Sequence, residues 1–187
     1  MPDTPRIHRM PPSHPLRLDP IAEAHRQWTA HGWNEVADGM AAVTSLVRAQ
    51  QIVMARVDEA LRPSGLTFSR YELLMLLDFS KSGALPMAVA SARLQVHPTS
   101  VTNTVDRLEA AHLVRRVPHP SDRRATLIEI TETGRQLAAT TTAELNERVF
   151  ANPGLPPARL RLLLDLLAEF RGSAGDFDSG ETPTHWA

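Results

Sequence analysis

The chain has 187 residues, of which 42% are hydrophobic and none is cysteine, and its formal net charge is −1. This length suffices for one buried core, and the lack of cysteine excludes disulfide bonds, thiolate metal ligands and a cysteine-oxidation switch. The sequence has no apolar run of about 18 residues and no signal-peptide core near its start, so we expect a cytoplasmic protein. The near-zero net charge does not by itself indicate a nucleic-acid partner.

The N-terminal region is predicted to hold a tail followed by a short helix. Residues 1–18 carry five prolines and little apolar pattern, which is typical of a mobile tail. Asp19-Pro20 is typical of a helix start and Gly32 of a helix end, so we expect a helix over residues 21–31. This helix contains Trp28, a large apolar side chain that needs a packing partner.

A second helix is predicted from Asn34 to about Leu61, because Pro63-Ser64-Gly65 follows it. About 28 residues of helix span roughly 40 Å, which is more than the core of a small domain covers. Part of its apolar stripe is therefore predicted to contact a second copy of the chain. The stripe residues assigned to this contact are Val36, Met40, Val43 and Val47.

Between residues 84 and 112 the pattern predicts two helices separated by a turn. Pro86 suits the first turn of the first helix, where a missing N–H group has no cost. His97-Pro98 interrupts the pattern, and Thr99 or Ser100 can cap the second helix. Two short helices joined in this way are typical of a helix-turn-helix unit.

The second of these helices has two contrasting faces. Val101, Val105 and Leu108 recur at helical spacing, so this face is predicted to pack inward. The opposite face carries short hydrogen-bonding side chains and one arginine, a set suited to base edges and phosphates in a major groove. The residues assigned to DNA on this helix are Thr99, Ser100, Thr102, Asn103, Thr104 and Arg107.

Two β-prone runs, Val114–Val117 and Ala125–Ile130, follow the second helix and predict a hairpin. Between residues 112 and 124 there are four arginines and one acid, so positive charge is concentrated here. Asp122 is expected to orient a neighbouring arginine through a charge-assisted hydrogen bond. The elements predict a winged helix-turn-helix, with the second helix in the major groove and the wing on phosphates or the minor groove. The arginines assigned to DNA here are Arg115, Arg116, Arg123 and Arg124.

The order and spacing of these elements resemble the MarR family of bacterial transcription regulators. The resemblance covers roughly residues 35–172, and the wing motif is its most specific part. It implies a mainly α-helical fold with a small β-hairpin wing, in which dimerisation helices flank the winged helix-turn-helix domain, and it implies a regulator that is usually a repressor. The matching motifs are Leu66-Thr67, Tyr71-Glu72-Leu73-Leu74, Thr99-Ser100-Val101-Thr102, Arg107-Leu108-Glu109, Leu113-Val114, Asp122-Arg123-Arg124, Ile130-Thr131 and Gly134-Arg135.

After the wing, a helix is predicted from about Glu132 to Phe150, and three prolines between residues 152 and 157 interrupt it. The last predicted helix, 158–170, is apolar more than halfway round, which is typical of an interface. Its residues assigned to dimerisation are Leu160, Leu163, Leu164 and Leu167. The predicted division is a tail (1–18), N-terminal dimerisation helices (19–62), a DNA-binding domain (63–131), C-terminal dimerisation helices (132–172) and a flexible tail (173–187).

A two-fold dimer presents two recognition helices, which predicts a pseudo-palindromic operator with half-sites about one helical turn, ~34 Å, apart. Many members of the resembled family also respond to a small ligand. Its urate-responsive subgroup has a tryptophan in an extra N-terminal helix, an acid early in the next domain helix and arginines nearer the DNA. That resemblance implies Trp28, Glu72 and Arg116 as residues for an anionic or aromatic ligand. The chain departs from the subgroup in having Glu72 in place of Asp and Thr104 in place of arginine.

An alternative without a ligand explains the same three residues. In it Trp28 packs against the protein, Glu72 caps a helix or pairs with Arg70, and Arg116 contacts DNA. Large apolar side chains need a packing partner, and exposed acids often form local pairs. The sequence leaves both interpretations open.

Other function classes compete with sequence-specific regulation. His97, His112 and His119 with Asp122 have atoms suited to a metal, but they fall at a turn, a helix end and the wing. No nucleophile elbow or phosphate-binding glycine motif is present, so we expect neither catalysis nor a cofactor. RNA binding favours exposed aromatic residues, which make up only 5% of this chain. A non-specific architectural DNA-binding protein and a winged helix used for protein contact stay as alternatives.

Overall fold

The computed structural model describes residues 16–119, 121 and 126–177, and the chain divides into two compact units, Met1–Ala55 and Arg56–Ala187. Residues 1–15 of the predicted N-terminal tail and 178–187 of the predicted C-terminal tail lie outside the described residues. Within the described ranges no helix is long and apolar enough to cross a membrane.

The first unit contains α1 (Pro20–Ala30) and the N-terminal part of α2 (Asn34–Leu61). Asp19 caps α1, because its Oδ1 accepts a hydrogen bond of 2.9 Å from the N–H of Ile21. Gly32 adopts the positive φ of 85° that follows the end of α1. Both helices begin and end within one residue of the bounds predicted from the sequence.

Two side-chain contacts hold α1 against the start of α2. Trp28 meets Trp33 edge-on, with ring centroids 5.3 Å apart, so Trp33 is the packing partner that Trp28 needed. His25 Nε2 lies 2.7 Å from Asp38 Oδ1.

The N-terminal part of the apolar stripe of α2 is largely exposed within one copy of the chain. Ala37 is buried, whereas the three valines of the predicted stripe are half exposed or more. The exposed fractions are 58% for Val36, 62% for Val43 and 50% for Val47, and Met40 is partly exposed. A long apolar stripe open to water is what the sequence predicts for a helix that meets a partner.

The second unit packs helices around a three-stranded sheet. Its core is formed by fully buried aliphatic side chains of several elements, among them Leu61, Leu74, Leu108 and Ile128. The elements that follow α2 are α3 (Phe68–Asp78), β1 (Ala84–Pro86), α4 (Met87–Leu94), α5 (Pro98–Ala110), β2 (Val114–Pro118), β3 (Thr126–Ile130), α6 (Glu132–Leu145) and α7 (Pro157–Ser173).

The sheet has the order β1-β3-β2 and is antiparallel throughout. The hairpin of β2 and β3 was predicted, and β1 was not. In the register, both Leu85 of β1 and Arg116 of β2 lie opposite Ile128 of β3. β1 has only three residues, which is too short for a visible alternation of apolar and polar side chains in the sequence. Only its pairing with β3 shows that it is a strand.

The cap predicted for the second helix of the helix-turn-helix unit was wrong. α5 begins at Pro98, and its cap is His97 rather than Thr99 or Ser100. The Nδ1 atom of His97 accepts a hydrogen bond of 3.3 Å from the N–H of Thr99. Because Pro98 has no N–H group and favours the first helical position, the helix starts at least two residues earlier than a cap at Thr99 or Ser100 would give.

α7 exposes much of its apolar surface, and none of its residues is buried. Leu163 has an exposed fraction of 38%, and Leu160, Leu164 and Leu167 are partly exposed. This agrees with the prediction of a helix that is apolar more than halfway round.

Candidate nucleic-acid interface

The core side of α5 is rigidly held. Val101, Val105 and Leu108 have exposed fractions of 1%, 0% and 1%, and they belong to the main hydrophobic core of the second unit. Their burial fixes the rotation of the helix about its own axis. The side chains on the opposite side therefore have defined positions, as a surface that contacts bases requires.

The opposite side of α5 is open to solvent and polar. All of the residues assigned to DNA on this helix are exposed except Thr104, which is partly exposed: Thr99, Ser100, Thr102, Asn103 and Arg107. The structure thus brings all six onto one accessible side. This is the geometry that the helical spacing predicted.

Some of these side chains form hydrogen bonds within α5, and others have no hydrogen-bond partner among the described residues. The Thr102 hydroxyl donates to the Pro98 carbonyl at 3.1 Å, and the Thr104 hydroxyl donates to the Ser100 carbonyl at 2.9 Å. Their oxygen lone pairs stay available, so both can still accept a hydrogen bond. Among the described residues, the Asn103 side chain has no partner. An amide with a free donor and a free acceptor is the group that can form two hydrogen bonds to adenine.

The two neighbouring arginines of β2 have different partners. Arg115 donates from Nε to Glu129 Oε2 on β3 at 2.7 Å, and these residues lie opposite each other in the register. The hydrogen bond and the charge of Arg115 lower the pKa of the Glu129 carboxyl, and the same bond raises the pKa of Arg115. Arg115 uses only Nε in this pair, so the N–H groups of its outer nitrogens have no partner among the described residues.

Arg116 extends to the other side of the hairpin, toward α5. Its Nη2 donates to Asp106 Oδ1 and its Nη1 donates to Glu109 Oε2. The backbone N–H of Arg116 also donates to Glu109 Oε1 at 2.9 Å. These partners raise the pKa of Arg116, with the hydrogen bond to Asp106 as the main cause. Asp106 and Glu109 were not among the predicted site residues, although their three-residue spacing on one helix face was a visible signal.

The tip of the wing lies outside the described residues. Asp122, Arg123 and Arg124 are in the gap at 122–125, so their assignment to DNA stays a prediction. The strands on both sides of the gap are described, and they form the predicted hairpin.

The three residues proposed for a ligand have different surroundings. Trp28 is packed on Trp33 in the first unit. Glu72 is an exposed residue of α3, and desolvation by the surrounding protein raises the pKa of its carboxyl. Arg70 donates to the Gly65 carbonyl at 3.4 Å rather than pairing with Glu72. Arg116 is bound by Asp106 and Glu109, a pairing that sequence reasoning missed.

The start of α6 fixes the base of the wing. The Thr131 hydroxyl donates to the His112 carbonyl at 2.8 Å and accepts from the Gly134 N–H at 3.0 Å. Arg135 Nη1 lies 2.5 Å from Asp78 Oδ1 and connects α6 to α3. Over the described residues no three His, Asp or Glu side chains come together as metal ligands.

The helix pair α4 and α5, the exposed polar side of α5 and the β2–β3 hairpin together define a winged helix-turn-helix, a class of DNA-binding protein. Residues 64–125 match the sequence model of the MarR family. Sco5413, a MarR family transcriptional regulator from Streptomyces coelicolor, is 46% identical to the chain with a TM-score of 0.69. That match covers 76% of this chain and 99% of Sco5413. The chain therefore belongs to the MarR family of transcriptional regulators, which confirms the fold class and the DNA-binding role predicted from the sequence.

Two other relatives match more distantly. CouR from Rhodococcus jostii RHA1, in a structure bound to p-coumaroyl-CoA, is 30% identical with a TM-score of 0.59, covering 67% of this chain and 87% of CouR. The transcriptional repressor MdtR of Bacillus subtilis (strain 168) is 30% identical over 84 residues, which are 45% of this chain and 53% of MdtR. The chain spans about half the length of MdtR and of another curated regulator from that bacterium. Sco5413 and MdtR are both regulators of transcription.

Proposed function

We propose that the chain acts as a homodimer that binds a pseudo-palindromic operator and represses transcription. The observation that carries this proposal is the exposed polar side of α5, where the side-chain amide of Asn103 has no hydrogen-bond partner among the described residues. The opposite, apolar side of the helix is fully buried. Sequence-specific contacts need free donors and acceptors on a rigid element. α5 meets both requirements.

Each side chain has a proposed role. Asn103 contacts a base edge, and the four neighbouring hydroxyls contact bases or flanking phosphates. Arg107 and Arg115 contact phosphates, since both are exposed and extend from the elements nearest the groove. Arg123 and Arg124 of the wing tip contact phosphates or the minor groove, and Asp122 orients one of them. The four hydroxyl residues are Thr99, Ser100, Thr102 and Thr104.

Exposed apolar side chains on two helices support a homodimer. Monomeric proteins seldom leave several large aliphatic residues of one helix in water. On α2 these include Val36, Val43 and Val47, with Met40 partly exposed, and on α7 they include Leu163 beside the partly exposed Leu160, Leu164 and Leu167. In the dimer, two copies of α5 lie about one turn of DNA, ~34 Å, apart.

Repression is proposed because a dimer bound to an operator blocks access to the same DNA. MdtR, whose matched segment is 30% identical, is a repressor. A regulator of this kind works where the chromosome is, which in a bacterium is the cytoplasm.

A small anionic or aromatic ligand is proposed to release the DNA. CouR, 30% identical, binds the aromatic thioester p-coumaroyl-CoA. The residues proposed here are Trp28, Glu72 and Arg116, as the sequence resemblance implied. Glu72 contributes a carboxyl with a raised pKa. The guanidinium of Arg116 also binds Asp106 and Glu109, so an anionic ligand there would share it with two carboxylates.

The test is selection of binding sites from random duplex DNA at physiological salt, with the full chain. Enrichment of an inverted repeat with half-site centres about 10 base pairs apart would support the proposal. Binding without enrichment would contradict it and favour an architectural protein. Absence of binding even at low salt would contradict it and leave a protein-contact module.

A further inference from the structure

Arg115 and Arg116 look equivalent in the sequence, but the structure gives them opposite directions. They are adjacent on β2, and neighbouring side chains of a strand point to opposite faces. Arg115 lies on Glu129 within the hairpin, whereas Arg116 reaches α5. The hairpin and the recognition helix are thus joined through Arg116.

The Arg116 cluster, formed by Arg116, Asp106 and Glu109, makes three hydrogen bonds between β2 and α5. Both outer nitrogens of the guanidinium are used, one on each carboxylate. The third bond runs from the Arg116 backbone N–H to Glu109 Oε1 at 2.9 Å. β2 is an edge strand, so this bond satisfies a backbone group on the side of β2 that faces away from β3. A side chain of the recognition helix therefore holds the edge of the wing directly.

The position of the cluster connects it to DNA binding. Asp106 lies three residues after Asn103, so the two share one side of α5. The Asp106 side chain is 56% exposed and the Glu109 side chain 38% exposed, while that of Arg116 is 30% exposed. Two carboxylates close to the groove would repel phosphates, and the Arg116 guanidinium lies between them. The cluster both neutralises part of this charge and fixes the distance from helix to wing.

We propose that Arg116 is a positioning residue for operator binding, which holds the wing in register with α5 through Asp106 and Glu109. Its role is not a phosphate contact, because the two carboxylates that bind its outer nitrogens balance its positive charge. The proposal rests on the proposed operator binding. A positioning role differs from a direct contact of Arg116 with DNA or with a ligand, because only the positioning role depends on Asp106 and Glu109.

The experiment measures the affinity of full-length variants for the selected operator and for a scrambled duplex, over a range of salt concentrations. Arg116→Ala is expected to lose about tenfold in operator affinity, a value typical of broken contacts in one network. The slope of log affinity against log salt concentration should stay as in the wild type, because no phosphate contact is lost. Arg115→Ala is the matched control on the adjacent position, and it should reduce the slope, since Arg115 keeps free nitrogens for phosphate.

The acids provide the sharper test. The double variant Asp106→Asn, Glu109→Gln removes two negative charges near the DNA, so simple electrostatics predicts tighter binding. The positioning role predicts weaker operator binding instead. Adding Arg116→Ala to this double variant should cost no further affinity, because all three residues act as one unit.

Arg116→Lys keeps the charge but cannot bind both carboxylates with a planar fork, so it should also weaken operator binding. This variant keeps the proposal testable if Arg116→Ala folds poorly, and thermal unfolding identifies that case.

Several outcomes would overturn the positioning role. The first is an unchanged operator affinity of Arg116→Ala. The second is a salt slope of Arg116→Ala reduced by about 2 per dimer, as expected for two lost phosphate contacts. The third is tighter operator binding by the double variant Asp106→Asn, Glu109→Gln. If wild-type protein selects no operator, the proposed function and this inference fail together. If selection succeeds and one of the other outcomes occurs, only the inference fails.

Discussion

Gly134 lies at the third position of α6, where the start of this helix approaches the wing. A Cβ atom added there would lie 2.2 Å from the Leu113 carbonyl oxygen, against an ordinary contact of 3.4 Å or more. The same carbonyl accepts a hydrogen bond of 3.0 Å from the Thr131 N–H, so it cannot move without loss. Substitution by alanine must therefore displace α6 from the base of β2.

The expected loss follows from opposing effects. Alanine favours a helix over glycine by up to ~1 kcal/mol. Overpacking costs about 1–3 kcal/mol, and weakening the hydrogen bonds at Thr131 costs about 1 kcal/mol more. Because the close contact is with backbone rather than a flexible side chain, the upper part of this range applies. We expect Gly134→Ala to lower the free energy of unfolding by about 2–3 kcal/mol.

Gly39→Ala is the matched control, since Gly39 is also inside a helix and an added Cβ there has no atom within 4 Å. It should raise the free energy of unfolding by up to ~1 kcal/mol. Urea unfolding followed by far-UV circular dichroism measures both variants, at one protein concentration because dimerisation contributes to stability. A Gly134→Ala protein as stable as wild type would refute the reasoning about the Leu113 contact.

Three further predictions concern DNA, pH and assembly. Asn103→Ala should lose about 1–3 kcal/mol of discrimination between operator and scrambled duplex, and equal losses on both duplexes would contradict a base contact. Glu72→Gln should be more stable than wild type at pH 7 but not at pH 3. A raised pKa favours the protonated carboxyl in the folded state, so this group's contribution falls as pH rises through that pKa; a pH-independent difference in urea midpoints would argue otherwise. Val43→Glu should shift the sedimentation of the protein toward monomer, and an unchanged dimer would exclude Val43 from the interface.

Much of the helical architecture follows from local signals in the chain. The C-terminal end of α2 was predicted because Pro63 and Gly65 end the helix whatever surrounds it. The inward face of α5 was predicted because Val101, Val105 and Leu108 repeat at the helical period, and burial of all three confirms it. Such signals act within a few residues, so they are present in the sequence alone.

Contacts between distant segments were decided only by the tertiary structure. β1 exists because Ala84–Pro86 pairs with β3, some forty residues later in the chain. The start of α5 at Pro98 could in principle have been read from the sequence, but hydroxyl residues offered a competing cap.

The clearest division concerns Arg115 and Arg116. Because both residues are arginines in the same basic segment, the sequence assigns both to phosphates. In the structure, the hairpin packs against α5, so Arg116 pairs with two carboxylates of that helix while Arg115 pairs with Glu129. Composition and spacing determine that the chain carries a DNA-binding helix and a basic wing. Which of its charges are available to DNA depends on long-range pairing, because a charge is neutralised by its neighbours in space rather than in sequence.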